Sequence, residues 1–581
     1  MSTTTVDPVL VSVVRNRLDV ATKEMGQVML RTTRSPIFSE ARDFVTAIYD
    51  RRGRIIAQTS YIPVLVNATP WAIEQFAETF ADDMAEGDIY ILNDPHKGNN
   101  HPPDITIAKP ILHEGELAYW TVSKGHHVDV GGKGVVGYNP LAASVFEEGM
   151  LFGPTKLYEA GKPNRALIDF FLNNLMLAPL VQGDLEAQIG AVQVGDRLVR
   201  ELIAKYGMDS LERLENALMD AAERQMRDAL SAIPDGTYEG EALVDSDGLG
   251  TERIRIAVRT TVEGDEITFD FSDSAPQVPG YLNSPLANTV SATCVGLYVC
   301  IDPSIPRVEG ANRPVHVFAP PGLVVNPLPP APTTLCTTSL NEALIEAIFD
   351  SLSKAIPERV PAGWSRMFMP NTTGMNPNTG MPFGELHAIA RGGSGAVREV
   401  DGYDHIGSVI TLGGFRSSDP ELFELTTPYM LRRYGYLTDS AGAGTTRGGL
   451  GVLAEFEVQA DGLGCVDWGS GALPETAASG RSGGLPGIPN HHTVVHPDGS
   501  SMEPRPNQFV PLARGDVFRI VAGGGGGYGD PRERPPAAVA EDVRQGYVSA
   551  DAARDVYRVA LDADGAVDQA ETDRLRSEAR A

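Results

Sequence analysis

The chain has 581 residues, and its 48 Lys and Arg residues against 76 Asp and Glu residues give a formal net charge of −28. Such an acidic protein repels phosphate groups, which argues against a nucleic-acid partner and against binding to anionic membrane surfaces. A hydrophobic content of 42% with 21% charged residues is typical of globular proteins, and the 61 Gly and 42 Pro residues indicate many turns. A single core stops growing at roughly 250–300 residues, so this length predicts more than one domain.

The cysteines and the N-terminal residues indicate where in the cell the protein is expected. The four cysteines show no CxxC spacing, so the sequence suggests neither a disulfide framework nor a zinc ribbon. Residues 1–8 lack the basic and apolar regions of a signal peptide. The most apolar stretch, residues 290–301, is about a dozen residues long and too short to span a bilayer. We therefore expect a cytoplasmic protein without a membrane segment.

The predicted elements begin with a long helix. Asp7-Pro8 joins a capping residue to a proline suited to the first helical turn, and apolar residues recur every three or four positions from Val11 to Val28. This helix is expected to end near Arg34. The elements that follow are strands at 44–49 and 54–57 around a turn, a helix at 70–84, strands at 88–92, 104–112 and 117–124, helices within 167–230, strands at 240–245, 253–262 and 266–271, a helix at 339–356, a β-rich stretch over 435–527 and short helices from 535.

This order of elements predicts an α+β protein with several domains. We expect an N-terminal α+β domain over residues 1–233, then a middle β-rich domain with one or more helices over residues 234–434. A glycine-rich β domain over residues 435–532 and a short helical tail over residues 533–581 complete the predicted chain. The boundaries fall where the hydrophobic period or the glycine content changes.

Histidines are concentrated in one short part of the chain, with five of the eleven at positions 96, 101, 113, 126 and 127. A hairpin turn over residues 113–116 makes antiparallel partners sum to about 229, which sets Asp104 opposite about Gly125 and residue 103 opposite His126. His101, Asp104 and His126 can then converge, and their nitrogen and oxygen donors suit a transition-metal ion such as Zn, Mn or Fe. The alternative for any single loop histidine is a solvent-exposed side chain, which we expect for His113 at the turn.

Glycine-rich stretches suggest a second candidate site, which their surroundings argue against. Gly524–Gly529 matches the GxGxxG pattern of dinucleotide-binding folds, but Asp530-Pro531 follows where such a fold needs a helix. The sequence has no GxxxxGK[ST] motif and therefore no P-loop of its own. We predict instead that Gly523–Gly527 forms a tight crossing of backbone segments. The histidines at 491, 492 and 496 are predicted to lie in a surface loop.

Several motifs occur in an order that resembles one protein family. They are Glu40-Ala-Arg-Asp43-Phe44, Asn93-Asp94-Pro95 with His101-Pro-Pro-Asp104, Gly125-His126-His127-Val-Asp129-Val-Gly-Gly132, Glu147-Glu148-Gly149, Gly183-Asp184-Leu185-Glu-Ala-Gln188, Asp439-Ser-Ala-Gly442-Ala-Gly444 with Arg447-Gly-Gly449, and Gly523 to Asp530-Pro531. Together they resemble the hydantoinase B family. This family includes the B-type components of ATP-dependent hydantoinases and lactamases, the matching half of 5-oxoprolinase, and components of acetone and acetophenone carboxylases. The resemblance covers nearly the whole chain.

The resemblance implies a division of labour between two proteins of one complex. A separate A-type partner binds ATP and Mg and phosphorylates the carbonyl oxygen of the substrate, and the B-type component then acts at a centre that holds one divalent ion, Zn, Mn, Fe or Co. The implied substrate is a cyclic amide, a lactam or hydantoin-like ring, and the implied assembly is (AB)2 or larger. The alternatives are a component of an ATP-dependent ketone carboxylase of the acetone or acetophenone type and a non-catalytic structural partner of an ATPase.

The resemblance also implies roles for individual residues. The family's metal ligands fall on Asp43, His101, Asp104 and His126 of this sequence. His127 and Asp129 follow as residues that orient the ligands or move protons, with a purely structural role as the alternative for His127.

Two segments depart from the family pattern. Tyr61-Ile-Pro-Val-Leu65 stands where the family commonly has a run with two histidines, and Val136–Pro140 replaces a Pro-Gly-Ser-like segment. Both segments are expected to flank the pocket. The loss of two imidazoles implies a less polar wall, which suits a plain lactam better than hydantoin or 5-oxoproline.

Overall fold

The computed structural model describes residues 7–134 and 136–578, and mixes helices and strands throughout, which confirms the α+β class. Residues 1–6, part of the stretch compared with a signal peptide, lie outside the described residues. The helices are α1 (Pro8–Thr32), α2 (Thr69–Thr79), α3 (Arg165–Leu172), α4 (Ala178–Tyr206), α5 (Met208–Leu230), α6 (Leu286–Cys300), α7 (Glu309–Asn312), α8 (Ser339–Leu352), α9 (Pro420–Thr426), α10 (Pro536–Arg544), α11 (Ala550–Asp555) and α12 (Gln569–Glu578). The strands are β1 (Phe44–Asp50), β2 (Ile55–Ser60), β3 (Ile89–Leu92), β4 (Asp104–His113), β5 (Glu116–His126), β6 (Thr155–Glu159), β7 (Lys162–Pro163), β8 (Gly236–Ser246), β9 (Glu252–Glu263), β10 (Glu266–Asp270), β11 (Val315–Phe318), β12 (Phe368–Met375), β13 (Pro382–Leu386), β14 (Tyr429–Tyr436), β15 (Val452–Val458), β16 (Gly464–Gly469), β17 (His491–Val495), β18 (Ser501–Met502), β19 (Gln508–Phe509) and β20 (Val517–Ala522).

The chain divides into two compact units, each built from separate stretches of sequence. Unit 1 comprises Met1–Glu239, Ile256–Leu344 and Gly414–Arg416, and unit 2 comprises Gly240–Arg255, Ile345–Gly413 and Ser417–Ala581. The division into four domains that composition suggests stays a prediction.

A seven-stranded sheet is the main β element of unit 1. Its order is β2-β1-β5-β4-β3-β6-β7, so β5 has β4 on one side and β1 on the other. Residues 118–126 of β5 are all buried, as expected for a strand inside a covered sheet. Both neighbours run antiparallel to β5, so the start of β1, the end of β5 and the start of β4 meet at one end of the sheet.

Helix α1 begins as predicted and covers part of this sheet. The Asp7 side chain accepts a hydrogen bond from Val9 N at 2.9 Å, and Pro8 lies in the first turn. Its apolar face packs against α4 and the strands β1 and β2. The buried side chains of this face follow the predicted spacing and include Val14, Leu18, Ala21, Met25 and Met29.

The β4–β5 register differs from the prediction by one residue. Asp104 pairs with His126 and Ile105 pairs with Gly125. A β-bulge between Ile111 and Leu112 shifts the ladder next to the turn, and an extra residue of this kind cannot be counted from the turn position alone. The shift sets Asp104 directly opposite His126, closer than the sequence predicts.

The apolar stretch at residues 290–301 lies almost wholly in α6, a helix whose side chains are nearly all buried in unit 1. Among residues 7–134 and 136–578, we find no helix that combines the length and the hydropathy of a membrane span. A further four-stranded sheet has the order β11-β10-β9-β8. Residues Gly240–Arg255, which include most of β8 and the start of β9, are assigned to unit 2.

Unit 2 contains two antiparallel sheets with orders β13-β12-β16-β19 and β14-β15-β20-β17-β18. The prediction that residues 491–496 form a surface loop was wrong, because His492 lies on β17 and is fully buried. Its Nδ1 atom lies 2.8 Å from both oxygens of Asp467, and its ring stacks on Phe368 with centroids 3.9 Å apart. The histidine is therefore part of the core of unit 2.

Gly523–Gly527 is a tight crossing of backbone segments, as predicted. This segment runs among residues 393–395, 442–449 and 484–487, and we call these four segments the glycine bundle. Gly525 N donates to Gly449 O at 2.9 Å, and Gly442 N donates to Gly525 O at 2.8 Å. A Cβ atom added to Gly525 would lie 1.8 Å from the carbonyl oxygen of Ser394, so no larger residue fits there.

Candidate metal centre

Three antiparallel strands and one loop bring the predicted ligands together in unit 1. Asp104 begins β4 and His126 ends β5, while Asp43 directly precedes β1, where its carbonyl oxygen accepts a hydrogen bond from His126 N at 3.0 Å. His101 lies in the loop over residues 93–103. The buried Asn99 amide fixes this loop, because its nitrogen lies 3.0 Å from His101 O and 2.6 Å from Asp104 O.

The donor atoms of His101, Asp104 and His126 all lie within 4.8 Å of one another, and all three side chains are buried. His101 Nε2 lies 3.1 Å from Asp104 Oδ1 and 3.1 Å from His126 Nδ1. His126 Nδ1 lies 3.7 Å from the same oxygen. The convergence of these three residues, which the hairpin predicts, is confirmed.

The hydrogen bonds of His101 fix its tautomer. Its Nδ1 atom lies 2.6 Å from the carbonyl oxygen of Thr334, and a carbonyl can only accept, so Nδ1 carries the proton. When the ring is neutral, Nε2 presents its lone pair to His126 and Asp104. Lone pairs that face each other at this distance repel unless a proton or a metal ion lies between them.

Burial and the neighbouring charges favour a neutral His126 and an ionised Asp104, whereas Asp104 raises the pKa of His101 although burial lowers it. Burial, and then the charge of His101, lower the pKa of His126 to about 3. Burial raises the pKa of Asp104, but His101 beside it lowers that pKa more, so the net shift is downward. Neither oxygen of Asp104 accepts a hydrogen bond of acceptable geometry, although both are buried. A buried carboxylate whose oxygens accept no hydrogen bond, together with two imidazoles that bind a metal in their neutral form, is the donor set of a divalent transition metal, so the residues fit such an ion.

Asp43, the fourth ligand that the resemblance implies, is not one of the three donors that lie within 4.8 Å of one another. Its carboxyl group responds to the same charges, because burial and then Asp104 raise its pKa to about 7 while His101 lowers it. Its role as a ligand stays a prediction.

His127 and Asp129 are not among the three converging donors, and their side chains bind other parts of unit 1. His127 Nε2 lies 2.9 Å from Gln188 Oε1 on α4, and its buried Nδ1 has no hydrogen-bond partner. Asp129 accepts hydrogen bonds from Gly131 N at 2.8 Å and from Leu177 N, at the start of α4, at 2.9 Å.

Two buried charged residues near the centre were not predicted as site residues. Lys124 donates to Asn100 Oδ1, and burial lowers its pKa to about 8 while Asp104 raises it. It precedes His126 by two residues on β5, so strand alternation could have placed both on one face. Glu148, noted only as part of a motif, accepts hydrogen bonds from the backbone of residues 333 and 334.

Aromatic rings from the two divergent segments lie beside the centre. Tyr138 stacks on His126 with centroids 5.9 Å apart. Tyr61 packs on Phe44 with centroids 4.9 Å apart, and the Arg42 guanidinium lies 5.7 Å from the Tyr61 ring. Both segments therefore contact residues next to the predicted ligands.

The fold and these motifs define a class of protein. The family described as hydantoinase B/oxoprolinase matches residues 7–531, and the chain belongs to this family.

Its relatives include proteins named as a caprolactamase subunit, a putative hydantoinase subunit and a 5-oxoprolinase. The beta subunit of the caprolactamase of Pseudomonas jessenii is 37% identical over 574 residues, which cover 98% of each chain. The B component of a putative D-/L-hydantoinase of Pseudomonas sp. (strain NS671) is 29% identical over 602 residues, again with 98% of each chain covered. The 5-oxoprolinase of Dictyostelium discoideum is 26% identical over 91% of this chain and 41% of its own length.

Two solved structures share the fold. The crystal structure of the ATP-dependent caprolactamase from Pseudomonas jessenii gives a TM-score of 0.92 at 36% identity and covers 99% of this chain and 100% of that chain. The nucleotide-free structure of acetone carboxylase gives a TM-score of 0.90 at 22% identity, with 99% of this chain and 83% of that chain covered. The second likeness is one of fold alone.

Proposed function

We propose that this chain is the metal-dependent component of an ATP-dependent amidohydrolase that opens a cyclic amide. The main support is the buried convergence of His101, Asp104 and His126, with an imidazole lone pair and an unsatisfied carboxylate facing one point. Asp43 is proposed as the fourth ligand. A bound Zn, Mn, Fe or Co ion would lower the pKa of a water molecule and polarise the attacked carbonyl group.

The residues of this chain would prepare that chemistry. Asp43 and Asp104 together offset the charge of a divalent ion, and the neutral His101 and His126 add nitrogen donors without adding charge. Burial keeps bulk water out, which strengthens every electrostatic interaction at the centre. His127, whose Nδ1 is buried without a partner, is proposed to hold or pass a proton, and Asp129 to fix the loop that follows β5.

We propose an A-type partner that binds ATP and Mg and phosphorylates the substrate, in an (AB)2 or larger assembly. The support is that the relatives of matching length are named as subunits, of a caprolactamase and of a hydantoinase. The proposed substrate is a plain lactam, because the two segments that depart from the family pattern place Tyr138 on His126 and Tyr61 on Phe44, the neighbour of Asp43.

The experiment is a metal and activity assay on the full chain co-purified with its A-type partner. Elemental analysis is expected to give one transition-metal ion per chain, and ATP with a lactam is expected to yield the open amino acid without bicarbonate. Asp104→Ala and His126→Ala are expected to lose both the ion and at least about 100-fold in activity, because each removes one donor of the centre. His113→Ala, a histidine at the far end of the same hairpin, is the matched control.

Three outcomes would contradict the proposal. Product formation that requires bicarbonate would assign the chain to the ketone carboxylases. Full metal content and full coupled activity in both Asp104→Ala and His126→Ala would leave only a structural role. Faster turnover of hydantoin or 5-oxoproline than of a plain lactam would refute the proposal that the substrate is a plain lactam.

A further inference from the structure

Glu148 is a fully buried carboxylate whose oxygens bind backbone amides. Thr333 N lies 2.9 Å from both of its oxygens, and Thr334 N lies 2.7 Å from Oε1. The Thr333 hydroxyl adds a longer contact of 3.4 Å to Oε2. A carboxylate that accepts several backbone hydrogen bonds holds the chain at that point in one conformation.

One of the residues that Glu148 holds, Thr334, also orients His101. The N–H of Thr334 donates to Glu148, and the carbonyl of the same residue accepts the proton on His101 Nδ1 at 2.6 Å. One residue therefore links the carboxylate to the imidazole. Outer partners of this kind fix the tautomer and the ring orientation of a metal-binding histidine.

We propose that Glu148 is a positioning residue for the metal centre, which acts through the Thr333–Thr334 backbone to keep His101 Nε2 free and aimed at Asp104 and His126. This inference rests on the proposed function. It assigns Glu148 a role different from that of its neighbour Glu147, which is exposed and whose side chain accepts a hydrogen bond from Ala143 N at 3.5 Å.

Glu148 can act through its charge as well as through its hydrogen bonds: burial raises its pKa to about 7 while the backbone hydrogen bonds lower it, and the ionised form favours a cation nearby. Glu148→Ala removes both the acceptor and the charge, and frees the Thr334 carbonyl to turn away from His101. Glu148→Gln removes the charge but keeps one oxygen, which can accept from both Thr333 N and Thr334 N. The two substitutions therefore separate positioning from charge, and Glu147→Ala is the matched control.

The experiment measures metal binding by the full-length chain. Wild type, Glu148→Ala, Glu148→Gln, Glu147→Ala and Asp104→Ala are stripped with a chelator and titrated with Zn²⁺ in competition with a chromophoric chelator. The visible spectrum of each Co²⁺-loaded protein is recorded, because it reports the geometry of the bound ligands. Thermal unfolding without metal identifies any variant that does not fold.

Glu148→Ala is expected to bind Zn²⁺ about 10- to 100-fold more weakly than wild type and to change the Co²⁺ spectrum. Glu148→Gln is expected to fold like wild type and to bind Zn²⁺ about 3- to 10-fold more weakly. Glu147→Ala is expected to bind Zn²⁺ like wild type. If Glu148→Ala does not fold, the inference is tested by the Zn²⁺ affinity and the Co²⁺ spectrum of Glu148→Gln alone. Affinities within about twofold of wild type and unchanged Co²⁺ spectra in the folded Glu148 variants would overturn the inference and leave the metal centre intact. Equal, weak binding by wild type and Asp104→Ala would instead refute the metal centre itself.

Discussion

Gly525→Ala tests whether the glycine bundle is required for the stability of unit 2. The new Cβ atom would lie 1.8 Å from Ser394 O, whereas such contacts essentially never fall below 3.0 Å. The backbone must therefore move by more than about 1 Å, which breaks the hydrogen bonds that Gly525 shares with Gly449 and Gly442. Each buried group left without a partner costs about 1–3 kcal/mol, so the loss is expected to be about 4 kcal/mol or more.

The assay is thermal and urea-induced unfolding of the full chain. A loss of about 4 kcal/mol lowers Tm by about 8 °C or more, since domains of 150–250 residues shift by about 2–4 °C per kcal/mol. Gly435→Ala is the control, because Gly435 lies in β14 of the same unit and a Cβ atom there meets nothing within 4 Å. A Tm for Gly525→Ala that matches Gly435→Ala would refute the packing argument.

Two further predictions concern buried carboxylates of unit 1. Asp184→Ala is expected to lower the free energy of unfolding in urea by about 3 kcal/mol, because Arg34 N and Ser35 N lose their acceptor. Asp184→Asn is the control, since its side-chain oxygen keeps that acceptor. Equal losses of stability in the two variants would contradict this cause. Burial raises the pKa of Glu215, which accepts a hydrogen bond from Tyr119, from an ordinary 4.5 to about 8, so wild-type stability is expected to fall as pH rises through this window. Glu215→Gln carries no charge there, so its free energy of unfolding relative to wild type is expected to rise by about 3 kcal/mol between pH 5.5 and pH 8. A difference that is the same at both pH values would show that titration of Glu215 is not the cause.

The sequence predicts the parts of the fold that depend on local signals. The first helix follows from a cap and a spacing of three and four, and the β4–β5 hairpin follows from its turn. The register was wrong by one residue, because the shift between Ile111 and Leu112 cannot be counted from the position of the turn.

The rest of the candidate site depends on contacts between residues far apart in sequence. Thr334 follows His101 by 233 positions, and Thr333 follows Glu148 by 185, so no local pattern could join them. The burial of His492 could not be predicted for the same reason. A histidine in a polar segment is predicted to be exposed, and its buried partner Asp467 lies 25 positions away in the sequence. Lys124 is the exception, since its alternation with His126 on one strand is a local pattern.

The hydrogen bond between His101 and Thr334 also sets a time order for the maturation of this protein. His101, Asp104 and His126 leave the ribosome close together, but the carbonyl that fixes the imidazole is made more than two hundred residues later. At a synthesis rate of roughly 5–20 residues per second, the interval is on the order of ten seconds or longer. During it, no carbonyl of residue 334 holds the proton of His101 on Nδ1. Under the proposed function, an ion captured in that interval would meet a flexible, less selective set of donors. Selective loading of the proposed centre would then follow the stage of synthesis at which residue 334 joins the fold.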